Sequence, residues 1–223
     1  MPMPYDKLLV LFPPRPDNNR EYGSPGYREL LEDSDWIAEI KVNGQRNTLY
    51  AEPVGDTHKL HWWSRDKDPH RNFMAPDWLQ EEILKTLKLV KGKWSVIDGE
   101  LIHAKDASVK NTVYFWDVLV HAGQYLVGTT RKERHDLLFE ITGAADAPSV
   151  DFIRRVTNSI WVADTIEHKD WDQWPRLTKT SWIEGFVLKN ELGRLTFGLS
   201  SKNNSGWQVR CRKPDAAGHI RHG

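Results

Sequence analysis

The chain of 223 residues holds a single cysteine, Cys211. One thiol cannot close an internal disulfide or build a cysteine-rich zinc site, and it fits the reducing interior of a cell; a cytoplasmic protein is expected. Long apolar runs are missing as well. The longest near the start, Leu8 to Phe12, is five residues. That is too short for the apolar region of a signal peptide and far too short to span a bilayer, so no membrane partner is expected. Internal repeats and low-complexity tracts are absent. So is net charge, since 31 Lys+Arg balance 31 Asp+Glu. That balance argues against an extensive phosphate-gripping surface, which usually carries a basic excess.

What is present is the composition of a soluble globular protein, 39% hydrophobic and 28% charged, long enough to bury a real core. We read it as one domain, 1–223, and as a monomer, with an N-terminal Pro-rich arm over 1–26 and a short tail over 215–223. The neutral total hides an asymmetry. From Lys189 to Gly223 there are seven Lys or Arg against two acids, so the C-terminal end is basic. Tryptophan is abundant at eleven residues. Trp94 and Trp182 lie in strand-like runs and are expected in the core. Trp171 and Trp174 stand among acids, lysine and proline, where burial is not obvious. Packing is the expected use of most of the eleven.

Pro13, Pro14, Pro16 and Pro25 make residues 13–26 a long loop or arm. A short helix over 27–33 leads into a strand. Leu60 to Ser64 reads as another strand. Asp77-Trp78-Leu79-Gln80 resembles a capping box, and Leu79, Ile83, Leu84 and Leu87 carry the helical spacing on to about Val90. Strands are expected over 93–102 and 112–120. Thr130-Arg131-Lys132-Glu133 is a second capping box, opening a helix with Leu137, Leu138 and Ile141 on one face and Gly143 as its stop. Shorter strands are expected at 151–156, 160–163, 182–190, 194–199 and 206–212. Strands dominate and helices are few, which predicts an α+β fold of mostly antiparallel sheets.

Lys41 lies in Lys41-Val42-Asn43-Gly44-Gln45-Arg46, between two runs of strand-forming residues. Asn-Gly in that setting is a strong hairpin signal, because both residues tolerate the positive φ of a type I′ turn. The turn would hold an amine and a guanidinium a few ångströms apart. A neighbouring cation helps to activate an amine nucleophile and neutralises charge at a phosphate. The bland alternative is an ordinary hairpin with a solvated basic end.

Other segments recur along the strands. Ser64-Arg65 closes one. Asp98-Gly99-Glu100 puts two carboxylates on one strand face, since i and i+2 project together. Trp116-Asp117 sets an aromatic ring beside an acid. Glu184-Gly185-Phe186-Val187-Leu188-Lys189 ends an apolar strand with a lysine. Arg210-Cys211-Arg212 places two arginines on one face. Each alone reads as a solvated strand face.

As an ordered set, from about Glu39 to Pro214, they resemble the covalent nucleotidyltransferase superfamily, and within it the adenylyltransferase domain of ATP-dependent DNA ligases. The stretch from Tyr125 to Leu138, with Arg131, Glu133 and Arg134, is similar to the helix that follows the aromatic strand in that family. The resemblance implies an ATP-grasp-like nucleotidyltransferase fold with no OB domain in this chain. It implies ATP as cofactor, with AMP carried covalently on Lys41, and Mg2+ or Mn2+. Lys41 would be the nucleophile. Glu39 would contact adenine, with Ile40 in the same nucleotide pocket, and Trp116 would stack on the base. Arg46 and Arg65 would meet phosphate or ribose, and Glu100 the ribose. Arg210 and Arg212 would hold the α-phosphate, Lys189 would join the nucleotide contacts, and Glu184 with Glu100 would take the metal. The partner implied is nicked duplex DNA.

The chain departs from that family at several places. Asn43 stands where DNA ligases usually carry Asp, the last element has arginines in place of lysines, and Trp116 replaces a commoner Phe. DNA ligases continue from the basic strand into an OB domain, whereas nine residues follow Pro214 here. The expectation is therefore a catalytic core or a much reduced ligase. An RNA ligase of the same superfamily, or a nucleotide- or nucleic-acid-binding module that has lost catalysis, stays open as an alternative.

Overall fold

Asn43 and Gly44 carry the chain from one sheet into another. Strand β2 (Trp36–Val42) ends at this point and β3 (Gln45–Val54) begins just beyond it, but the two do not pair. The expected type I′ hairpin is therefore absent, and neither Asn43 nor Gly44 has a positive φ. Two contacts explain the outcome. The Asn43 N–H donates to the Trp182 carbonyl at 2.7 Å, tying the end of β2 to its neighbour. A Cβ on Gly44 would lie 2.5 Å from Glu100 Cγ and 2.6 Å from the Leu101 carbonyl oxygen, so glycine is needed for close approach rather than for turn geometry.

The computed structural model describes residues 12–70, 73–103, 108–177, 179–198, 200 and 202–212, and the tail lies outside them. A four-stranded sheet contains β1 (Arg15–Asn19), β12 (Asn204–Arg212), β11 (Ile183–Asn190) and β2, in that order. The larger sheet runs β4 (Thr57–Trp63), β3, β5 (Ser95–Ile102), β6 (Thr112–His121), β10 (Ile160–Ala163), β9 (Ile153–Arg155) and β8 (Ser149–Val150), with the two-residue β7 (Gln124–Tyr125) on β6. Of the ten strand pairings among the described residues, β1 with β12 and β10 with β6 are parallel and the rest antiparallel. The α+β fold of mostly antiparallel sheets is thus the observed one.

β1 lies inside the segment read as a loop or arm. Its pairing with β12 spans nearly two hundred residues of sequence, which a local pattern does not report. Likewise the described residues of 194–199, which are 194–198, form no strand: Arg194 and Gly198 make only isolated bridges, to Thr130 and Phe12.

Helix α1 (Pro25–Glu32) starts inside the segment read as the arm, two residues ahead of the expected 27, where Ser24 Oγ accepts the Tyr27 N–H at 3.3 Å and proline fills the first position. Helix α2 (Asp77–Thr86) lacks the expected capping box. Pro76 occupies the cap, Asp77 is already helical, and the chain turns extended at Leu87, short of Val90. Helix α3 (Arg131–Thr142) has both capping-box bonds between Thr130 and Glu133, and Gly143 ends it at φ 72°. A short α4 (Trp174–Leu177) follows a 3-10 turn.

Leu79 and Ile83 of α2 and Leu138 and Ile141 of α3 cover one face of the large sheet against Ile97, Phe115 and Val118. A second core joins Ala38, Ile40, Phe186 and Leu188 of the small sheet to Tyr27, Tyr114 and Trp171. Trp94, Trp182 and Trp171 are all buried. Trp171 was not legible as core because its neighbours in sequence are polar; its indole N–H donates to the Ile166 carbonyl at 3.1 Å. Among the described residues, no helix is long and apolar enough to cross a membrane.

Candidate active site

Alternation along the small sheet sorts its side chains. Ala38, Ile40 and Val42 join the core, while Glu39 and Lys41 project from the other face. Across the register, Lys41 lies beside Gly185, Glu39 beside Val187, Lys189 beside Gln208, and Arg210 beside Val187. In the large sheet, Arg46 of β3 is paired with Glu100 of β5, which is paired in turn with Tyr114 of β6. The two sheets bring these residues around one cleft of about 750 Å3, part of it open to solvent. Its lining includes Glu39, Ile40, Lys41, Arg46, Arg65, Glu100, Trp116, Lys189 and Arg210.

Lys41 Nζ donates a hydrogen bond to Glu184 Oε2, and Arg212 Nε lies 3.7 Å from the same oxygen. Glu184 and Arg212 therefore stand next to the lysine. Arg46 is held from below: Nε donates to Asp98 Oδ1 at 3.0 Å, Nη2 to Asp98 Oδ2, and Nη2 also to the Pro14 carbonyl at 2.9 Å. A guanidinium has five N–H donors and these bonds use three, leaving the pair on Nη1 for a ligand. The Trp116 indole N–H donates to Asp98 Oδ2 at 3.1 Å, so one buried carboxylate orients both the arginine and the aromatic ring. Arg65 sits in the Ser64–Asp68 turn at the rim, 3.6 Å from Asp66.

Glu39 is 2% exposed. It accepts from Lys189 Nζ at 2.6 Å and from Arg131 Nη2 at 2.6 Å and Nε at 3.2 Å. Desolvation pushes its carboxyl up, but Lys189 and Arg131 outweigh that and hold it at about 2. Glu39 is therefore an acceptor at any ordinary pH, and Lys189 lies beside it as a donor. Arg131 reaches this pair from α3, and Arg134, one turn on, clamps Asp117 of β6 at 2.7 and 3.1 Å. The helix is thus pinned to both sheets by buried arginines.

Several cleft residues escaped sequence reasoning. Asp98 was legible only as part of a motif, not as the partner of Arg46. Gln208 could have been found by carrying the alternation of Arg210 and Arg212 back one step. Pro14, Arg15 and Pro16 line the cleft with no local signal, because their place depends on β1 pairing with β12. Among the described residues, no three His, Cys, Asp or Glu side chains come together as a metal cage.

No protein-family model matches the sequence, and no curated protein does. The fold, by contrast, is shared with solved DNA ligases. A mycobacterial DNA ligase D complexed with ATP and MES matches 81% of this chain at a TM-score of 0.54 and 17% identity, with 55% of that chain covered. The ligase domain of M. tuberculosis LigD matches 80% at 0.51 and 16% identity, with 53% covered. Chlorella virus DNA ligase-adenylate matches 90% at 0.50 and 13% identity, with 69% covered. The chain spans about half the length of the first two. At these identities the likeness concerns the fold, which is that of the ligase nucleotidyltransferase domain.

Proposed function

We propose that this chain is the core of an ATP-dependent polynucleotide ligase that carries AMP on Lys41 and seals nicked DNA. The observation that supports it best is the setting of Lys41, an amine on the wall of a cleft that Arg46, Arg65 and Arg210 also line, hydrogen-bonded to Glu184, whose carboxylate lies 3.7 Å from Arg212. A lysine placed only to make an ion pair needs no cations sharing its cleft. A nucleophile attacking an anionic phosphate does.

In the proposed reaction the Lys41 ammonium first gives up a proton, for which the Glu184 carboxylate is the hydrogen-bonded acceptor. The amine lone pair then forms a P–N bond to the α-phosphate of ATP as the P–O bond to pyrophosphate breaks. Arg46 and Arg210 offset the charge on the phosphate oxygens. In the second step a 5′-phosphate oxygen attacks the same phosphorus and the P–N bond breaks, returning the pair to Lys41. A 3′-hydroxyl then displaces AMP to close the strand. Mg2+ takes one or two carboxylates with phosphate oxygens, a donor set that Glu184 or Glu100 and a bound nucleotide supply without a three-residue cage, and it would neutralise phosphate charge there. Trp116 offers a flat ring for a purine, and Glu39 with Lys189 an acceptor and a donor at the cleft floor.

The DNA preference draws support from the solved structures that share the fold, which are DNA ligases. The test is strand joining with ATP and Mg2+ on nicked duplex DNA and on single-stranded RNA. We expect sealing of the nick, and we expect Glu184→Ala to lose at least about a hundredfold in label transfer to the protein while Glu140→Ala, an exposed acid on α3, stays at the wild-type rate. Joining confined to RNA would move the chain to the RNA ligases. Equal rates for the two variants would remove Glu184 from the mechanism.

A further inference from the structure

Lys67 has a backbone that lysine seldom adopts, with φ 65°. It belongs to the turn after β4, where the Lys67 N–H donates to the Ser64 carbonyl at 3.0 Å and the Ser64 N–H to the Asp68 carbonyl at 2.8 Å. Ser64 Oγ accepts from the Asp66 and Asp68 N–H groups at 3.3 Å each. Glycine or asparagine would suit this left-handed position better. What lysine adds is reach. Its Nζ lies 3.8 Å from the centroid of the Phe12 ring, over the aromatic face. The same turn carries Arg65 on the rim of the cleft.

Phe12 begins a segment that is fastened at several points. Its N–H and carbonyl exchange hydrogen bonds with Gly198 at 3.1 and 2.9 Å, and Asn203 Nδ2 donates to its carbonyl at 3.0 Å. The Arg15 N–H donates to the Asn203 carbonyl at 2.9 Å, and Ser205 Oγ to the Arg15 carbonyl at 3.3 Å. Residues 13, 14 and 16 between and beyond these anchors are prolines. Proline fixes φ and has no N–H, so the segment is stiff, costs little entropy to order, and leaves its carbonyls for other donors. One of them, on buried Pro14, takes Arg46 Nη2. Pro14, Arg15 and Pro16 form part of the wall that includes Lys41.

We propose that residues 12–16 are a fixed strap completing the nucleotide cleft, with the Phe12–Lys67 contact as its fastening and Pro14 as a positioning residue for Arg46. The proposal rests on the reading of the cleft as a nucleotide site. A cation over an aromatic face gains most when it is desolvated, and burial does lower the Lys67 amine to about 8. With the ring or the amine removed, the strap keeps its backbone bonds but loses the tie to the Arg65 turn. The cleft then presents a less ordered wall to the nucleotide, while Lys41 and Glu184 are untouched.

The test uses the full chain and its Phe12→Ala, Lys67→Ala and Lys67→Arg variants. Binding is measured calorimetrically with an ATP analogue carrying a methylene bridge between the α- and β-phosphates, which cannot release pyrophosphate. Labelling of the protein by ATP is followed in parallel. We expect Phe12→Ala and Lys67→Ala to weaken analogue binding about fivefold and to raise the half-saturating ATP concentration by the same factor, with the maximal labelling rate within about twofold, and Lys67→Arg to recover most of the loss. Unchanged affinity in both alanine variants, or no recovery with arginine, overturns the strap. A wild-type chain that binds the analogue but takes no label refutes the Lys41 reaction, and the affinity arm still decides the strap. A wild-type chain that does not bind the analogue overturns both.

Discussion

Glu39, in the cleft lining, and His135, buried on α3, show how the fold is tied to pH. His135 is buried, its Nε2 2.9 Å from the Ala163 carbonyl, and desolvation followed by repulsion from Arg131 lowers its pKa from 6.5 to about 4. The unfolded chain binds a proton near pH 6.5 and the folded chain does not until near 4, so stability is complete above about 6.5 and falls as the pH drops towards 4. The loss across that window is about 3 kcal/mol, at 1.36 kcal/mol per unit. Glu39 has the opposite charge type and a lower window. Its folded value of about 2 lies below the ordinary 4.5, so its contribution is present above 4.5 and is lost as the pH falls towards 2. Denaturant unfolding at pH 7, 5.5 and 4.5 should therefore show a steady decline in wild type and a much shallower one in His135→Gln. Parallel declines in the two proteins would show that another group carries the upper window.

At the scale of elements, the Asn43-Gly44 link decides the geometry of the site. It hands the chain from the small sheet to the large one, so Lys41 and Arg46 face one cleft from two sheets instead of flanking one hairpin. Gly44→Ala would drive a Cβ into Glu100 Cγ and the Leu101 carbonyl. We expect a stability loss of about 1–3 kcal/mol in thermal melts, with Lys41 labelling reduced further because the wall must shift. A variant as stable and as active as wild type would mean that the link gives way easily. This element also marks the limit of local reading. The Thr130 capping box, the Gly143 stop and the core face of α3 were legible, since capping and helical period act within a few residues. Asn-Gly was legible as the end of a strand but was misread as a hairpin, because β2 takes its partner β11 from over a hundred residues away while β3 pairs with β4 and β5 in the other sheet. Asp77 mimicked a cap on a different ground, since the spacing rule ignores the adjacent Pro76 that takes the capping place.

For the whole molecule, the neutral total of 31 basic and 31 acidic residues conceals a division of labour. Lys189, counted with the basic end, is buried against Glu39, and Arg131 and Arg134 hold the helix with their charges spent on Glu39 and Asp117. Arg46, paired with Asp98, lines the cleft with Arg65 and Arg210, and Arg212 stands beside Glu184. Ordered motifs made the cleft residues legible because the family pattern lists groups that converge in space, whichever strands carry them. The strap and the Asp98 anchor were not legible, since their roles arise only when β1 meets β12 and β3 meets β5. Everything proposed for the site converges on one covalent bond. The most direct measurement is the mass of the intact chain after incubation with ATP and Mg2+, followed by peptide mapping. The account predicts a gain of one AMP, located on Lys41 and absent in a folded Lys41→Ala protein. An unmodified chain, or AMP that persists in the Lys41→Ala variant, would contradict it.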